Sequence, residues 1–182
     1  MKNLTTKEIF ALAVQNHQKN ELKIAENLYN KILEINPNHV DAYYNLGKMF
    51  SESNEYDKAI NCYEKVIKIN FNQADAHNNL GVIFKNLGKH QKAIDCYENA
   101  IKIDPNYTNA YNNLGTILGE LNKINEAKIN FEKSLNLDPN KKETNEGYGN
   151  ILLKLNHHDK ALEYIRKSTG FIRFTQKDFK II

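Results

Sequence analysis

Gly47, Gly81, Gly115 and Gly149 stand 34 residues apart, and the same interval separates Ala25, Ala59, Ala93, Ala127 and Ala161. Pro37, Pro105 and Pro139 keep this period, with Phe71 in the slot between the first two. The surrounding strings repeat as well: AYYNLGKMF, AHNNLGVIF and AYNNLGTIL, then KAINCYEKVIKIN, KAIDCYENAIKID and EAKINFEKSLNLD. Self-similarity at one fixed period confines a chain to folds in which a supersecondary unit stacks on copies of itself.

Each period carries two stops, so each unit needs two helices. The first stop is Asn20, Asn54, Gly88, Asn122 and Asn156, residue types that tolerate the left-handed conformation ending a helix. The second is the Pro slot, where Asn36, Asp104 and Asp138 precede Pro and are biased away from helix. Asn38, Asn72, Asn106 and Asn140 are expected as N-caps, with Asp41, Asp75, Asn109 and Glu143 three residues on. Thr5 and Glu8 have the same spacing at the start. Between the stops, Ala59, Ile60, Tyr63, Val66 and Ile67 trace one apolar stripe of helical period, as do Ala93, Ile94, Tyr97, Ala100 and Ile101. Gly47 and Ala59 let the two helices approach closely, with Tyr63 filling the space beside them.

This pattern resembles the tetratricopeptide repeat: an aromatic, Leu-Gly, an aromatic, Ala, an aromatic, Ala and Pro. The second unit supplies Tyr43, Leu46, Gly47, Phe50, Ala59, Tyr63, Val66 and Phe71. The third supplies His77, Leu80, Gly81, Phe84, Ala93, Tyr97, Ala100 and Pro105, and the fourth Tyr111, Leu114, Gly115, Leu118, Ala127, Phe131, Ser134 and Pro139. The first and fifth units match more loosely. The resemblance implies an all-α, right-handed α-solenoid of about five antiparallel helix-turn-helix repeats. They fall near 6–39, 40–73, 74–107, 108–141 and 142–175 within an array spanning 1–175. Gly170 is expected to stop the last helix, and 176–182 to form a C-terminal tail or partial cap.

Composition narrows the function. The net charge of +3 comes from 25 basic and 22 acidic residues, well mixed, which does not call for nucleic acid or an anionic membrane. No apolar run approaches the roughly 20 residues of a membrane helix. The start lacks the apolar core and cleavage site of a signal peptide, so the expected location is cytoplasmic. Cys62 and Cys96, one period apart on equivalent faces, read as structural. The six histidines show no metal-ligand spacing, and His77 takes an aromatic slot of the repeat. There is no phosphate-binding loop and no nucleophile-base-acid series. The expectation is a protein that is not an enzyme and needs no cofactor or metal.

The residue before Leu-Gly is Asn45, Asn79 and Asn113 in the three central units, and Ala11 and Gly147 in the outer ones. In the arrays of O-linked N-acetylglucosamine transferase and its relatives, Asn at this position forms a ladder that grips a peptide backbone; this chain is similar over three rungs. An Asn amide both donates and accepts, so it can satisfy a backbone amide whatever the side chain. Helices about 8–10 Å apart meet an extended peptide, at about 3.3–3.6 Å per residue, roughly every third residue. Flanking candidates are Tyr44, Asn78 and Asn112, then Lys48, Val82 and Thr116 one turn on. The ladder needs its amides to be accessible. The slots where chaperone-tail clamps carry Lys or Arg hold Tyr44, Asn78, Asp75 and Asn109, which argues against such a clamp.

The expected function is a protein-protein interaction scaffold that takes an extended peptide or partner helix along a concave groove lined by the first helices. Two alternatives stay open. The array could be the substrate-recognition arm of an enzyme whose catalytic domain lies beyond Ile182, or it could self-associate through its C-terminal face.

Overall fold

The computed structural model describes residues 4–169, 172–175 and 178–181. Within these, the chain is a solenoid of helical repeats: α1 (Thr6–Gln18), α2 (Leu22–Ile35), α3 (Val40–Glu52), α4 (Tyr56–Ile69), α5 (Ala74–Asn86), α6 (His90–Ile103), α7 (Thr108–Glu120), α8 (Ile124–Leu137), α9 (Lys142–Lys154) and α10 (His158–Thr169), followed by strands β1 (Ile172–Thr175) and β2 (Asp178–Ile181). Among the described residues no helix is long and apolar enough to cross a membrane, and no group of three or more His, Cys, Asp or Glu could hold a metal ion.

Both kinds of stop behave as their chemistry dictates, with one shift. Asn20, Asn54, Asn122 and Asn156 adopt φ of 59–62°, and Gly88 a φ of 68°, so each first helix ends through a left-handed residue. Helices α2, α4, α6 and α8 run out into extended backbone at Asn36, Asn70, Asp104 and Asp138. The expected N-caps are displaced by one residue. His39, Gln73, Tyr107 and Lys141 occupy the caps. The asparagines before them close Asx turns instead: the N–H groups of Asn38 and Asn72 donate to the Oδ1 of Asn36 and Asn70, and those of Asn106 and Asn140 to Asp104 and Asp138. A side chain two residues back satisfies that N–H locally. Thr5 and Glu8 do form the expected capping box.

The chain divides into two compact units, 1–87 and 88–182, so the boundary falls between the two helices of the third repeat. In the first unit, α1 packs on α2 and α3 on α4. The hairpins join through α2 on α3 and α4 on α5, and the first helices α1, α3 and α5 also touch in succession. The buried interior is made by Ile9 and Ala13, then Tyr29 and Ile32, then Tyr63 and Val66. Gly47 is required by closeness: a Cβ there would lie 3.0 Å from two ring carbons of Tyr63.

In the second unit, α7 packs on α8 and α9 on α10, with α6 on α7, α8 on α9 and α7 against α9. Phe131, Ile117, Leu152 and Ile165 are among its most buried side chains. Strands β1 and β2 pair antiparallel, with Ile172 opposite Ile181, Arg173 opposite Lys180 and Phe174 opposite Phe179. Gly170, expected as the last helix stop, lies outside the described residues, as do 176, 177 and 182 of the expected tail. The parts of that tail that are described belong to this hairpin. Cys62 is half-buried and Cys96 buried, both as free thiols that burial pushes up to about 11.

His77 fills the aromatic slot of α5 at 5 % exposure, edge-on to Phe71 with ring centroids 5.3 Å apart. Burial lowers its pKa, against a weaker opposing effect of a hydrogen bond to the Phe71 backbone. The native ring is therefore neutral, while the unfolded chain takes up a proton near pH 6.5. The stability held by neutral His77 is complete above about pH 6.5 and lost as pH falls from there toward the lower native value. Melting temperature measured between pH 7.5 and 5 is expected to fall more steeply for the native chain than for His77→Tyr, the residue at this slot in the second and fourth units. Parallel profiles would show that His77 does not titrate on unfolding.

Candidate functional site

The first helices present the sequence-selected residues, and the structure separates those on the surface from those spent in packing. In the first unit, α3 carries Tyr44 and Asn45, both half-buried, and Lys48, which is exposed. The Asn45 Nδ2 donates back to the Asp41 carbonyl at 2.8 Å, and its Oδ1 accepts from no group among the described residues. Lys48 is exposed and lies 3.9 Å from Glu52, which also meets His17 Nε2 from α1 at 3.0 Å. Asn78 is buried, with its amide donating to Asn79 Oδ1 at 3.4 Å, so its side chain belongs to the interior and does not line the face.

Asn79 is differently engaged. Its Nδ2 donates to the Tyr44 hydroxyl at 3.2 Å and to the Tyr63 hydroxyl at 3.3 Å. Both amide protons are thus committed, tying α5 to α3 and α4. The two tyrosine rings meet edge-on at 5.8 Å. Burial raises both hydroxyl pKa values, and the nearby Asp75 charge adds to the rise at Tyr44.

This bond exposes a pairing that the motif reading missed. Tyr63 precedes Asn79 by 16 residues, and the same spacing links Tyr29 to Asn45 and Tyr97 to Asn113. In the remaining pair, both members change. Phe131, which has no hydroxyl, is followed by Gly147, where a Cβ would lie 2.6 Å from the Phe131 ring. The Asn series therefore tracks the aromatic of the preceding hairpin. The spacing was visible in the sequence, but nothing there said that residues 16 apart would touch. The three rungs are also unequal: the hydroxyls of Tyr29 and Tyr97 are buried with no partner among the described residues.

The second unit carries its own polar chain. Thr144 Oγ1 donates to Asn112 Oδ1 at 3.0 Å and lies 3.0 Å from Ser134 Oγ, itself 3.2 Å from the Thr108 carbonyl. Asn112 Nδ2 in turn donates to Asn113 Oδ1 at 3.4 Å. Thr144 stands where other units have Ala42, Ala76 and Ala110, and Ser134 where they have Val66 and Ala100. Two hydroxyls introduced together satisfy each other in the interior and fix the rotamer of Asn112. Thr116 turns its hydroxyl onto the Asn112 carbonyl at 2.9 Å, while Glu146 and Asn150 on α9 are exposed.

Models of the tetratricopeptide repeat match residues 28–61, 74–107, 96–129 and 143–172, and a TPR repeat model matches 47–88. The chain belongs to the tetratricopeptide repeat family. No curated protein matches this array by sequence. Among solved structures, a MamA protein is 24 % identical with a TM-score of 0.78, over 91 % of this chain and 90 % of that one. The pilF protein of Pseudomonas aeruginosa is 24 % identical with a TM-score of 0.82, over 91 % and 75 %. YrrB, described as a TPR protein with an unusual peptide-binding site, is 23 % identical with a TM-score of 0.71, over 91 % and 86 %. Likenesses at this identity establish the fold of the array.

The unequal rungs predict unequal substitutions. Asn79→Ala strands the Tyr63 hydroxyl at 1 % residue exposure and is expected to cost about 1–3 kcal/mol in urea unfolding. Asn45→Ala removes one bond within its own helix and is expected to stay within about 0.5 kcal/mol. Equal losses would contradict the distinction.

Proposed function

We propose that this tetratricopeptide array is a protein-interaction scaffold, and that its first-helix faces hold an extended peptide or a partner helix. The observation that carries this reading is the partly exposed Asn45, whose Oδ1 accepts from no group among the described residues, beside Tyr44 and Lys48 on α3. An amide oxygen at that position accepts from a peptide N–H regardless of the peptide's side chains. Lys48, Glu52 and His17 beside it form a polar cluster that can favour one peptide over another. Asn79 contributes differently: a peptide that took its amide protons would have to displace two tyrosine hydroxyls. Its role in this reading is to hold Tyr44 in place, while Asn45 makes the contact.

In the second unit, Asn112 and Asn113 with the exposed Glu146 and Asn150 offer a comparable face with more acidic character. The family's use of repeat surfaces for protein contacts and the peptide-binding description of the similarly folded YrrB support the reading. Binding, not catalysis, is the activity proposed.

Photo-cross-linking tests it. Benzoylphenylalanine placed at exposed Lys48 on α3 is expected to trap a partner from lysate, whereas the same probe at exposed Asn61 on α4 is not. Cross-links from position 61 without any from position 48 would remove the first-helix face as the binding surface.

A further inference from the structure

Two positions break the repeat pattern toward the surface. Pro37, Pro105 and Pro139 share a slot that holds Phe71 in the second repeat, and Phe71 is 60 % exposed although its ring also meets His77. Asn27, Asn61, Asp95 and Glu163 share a slot that holds Ile129 in the fourth, and Ile129 is 58 % exposed. Among the described residues these are the two most exposed large apolar side chains.

They sit on different surfaces. Phe71 stands in the turn between α4 and α5. Ile129 edges a cleft of about 260 Å³ formed by α6, α7 and α8. The cleft's floor is Ile94, Leu114 and Leu118, all buried. Glu98 and Glu126 stand at its walls. Glu126 lies 3.7 Å from Lys123, whereas Glu98 pairs with no cation among the described residues. The volume is below the roughly 300–1,000 Å³ of small-molecule sites and suits a single aromatic side chain.

The charges match as well. Lys65 and Lys68, exposed in the last turns of α4 before Phe71, pair with no carboxylate among the described residues. Glu64 is the one acidic residue between 64 and 72. An aromatic anchor seated in an apolar pocket, with opposite charge at the margin, is the form that interface hot spots take. Phe71 is open to solvent in its own chain, so any cleft that holds it belongs to another molecule.

We propose that the α6–α8 cleft of one copy receives Phe71 of a second copy, the ring lying over Ile94 and Leu118 beside Ile129, with Lys68 facing Glu98. The two surfaces differ, so the contact is heterologous and joins copies in series. None of these residues is among those assigned to partner binding.

Sedimentation velocity of the purified full chain, with no other protein present, tests the proposal. Self-association rising with protein concentration is expected. Phe71→Pro installs the residue of the other repeats, and Asn70 already has the extended backbone that Asn36 shows before Pro37. Ile129→Asn installs the residue that two other repeats carry at that slot. Each variant alone is expected to associate about tenfold or more weakly than the native chain, and Phe71→Ser, which leaves the backbone unrestrained, to match Phe71→Pro. Mixed in equal amounts, Phe71→Pro and Ile129→Asn are expected to form a complex of two copies, because the first keeps its cleft and the second keeps its ring. A native chain that stays monomeric up to its solubility limit would overturn the proposal. So would single variants that associate as the native chain does, or a mixture that stays monomeric.

Discussion

In each compact unit one aromatic ring ties three helices together, and the packing around it depends on that contact. Tyr63 projects from α4. Its face lies against Gly47 of α3, closing its own hairpin, and its hydroxyl reaches Asn79 of α5, the first helix of the next. In the second unit Phe131 of α8 does the same work without a polar end: the ring lies so close to Gly115 of α7 and to Gly147 of α9 that a Cβ at either would meet it at 3.0 Å or less. Deleting a buried aromatic of this kind typically costs about 3–5 kcal/mol. Here the loss would fall on an intra-hairpin and an inter-hairpin interface at once. A repeat that cannot bury its apolar face alone is stabilised through such shared residues.

The same constraint shapes what the surface can do. An Asn that satisfies a buried hydroxyl is not also free to bind a ligand, so the rungs divide their labour. Asn79 ties α5 to Tyr44 and Tyr63, whereas the Asn45 Oδ1 accepts from no group among the described residues. In the second unit the hydroxyls of Ser134 and Thr144 lock Asn112 from beneath. Side chains held in one rotamer by packing lose little entropy on binding, which favours a preformed recognition face over an adaptable one.

Most of the frame was legible in the sequence because it rests on local rules. Asn and Gly at the left-handed stops, the apolar stripe through Ala59, Tyr63 and Val66, and the Gly47–Tyr63 fit all follow from residue type and spacing. The helix starts lie one residue later than expected, with Asx turns at Asn36 and Asn70 ordering the residues just before them. The face was read less well. Asn45, Asn79 and Asn113 look identical in a motif, and only the tertiary partners distinguish them. Asn78 shares its slot with Tyr44, yet it is buried. Slot-by-slot comparison across units would have exposed the Tyr–Asn and Phe–Gly covariation, and also Ile129 at a polar slot.

The most direct test of the central claim is a double-mutant cycle between Tyr63 and Asn79, read by urea unfolding of the native chain, Tyr63→Phe, Asn79→Ala and the double variant. If the ring's hydroxyl and the amide stabilise each other across the hairpin boundary, the double variant loses less than the sum of the singles, with a coupling of roughly 0.5–3 kcal/mol. Additive losses would mean that the two residues act independently, and that the aromatic ring does not link one repeat to the next through its hydroxyl.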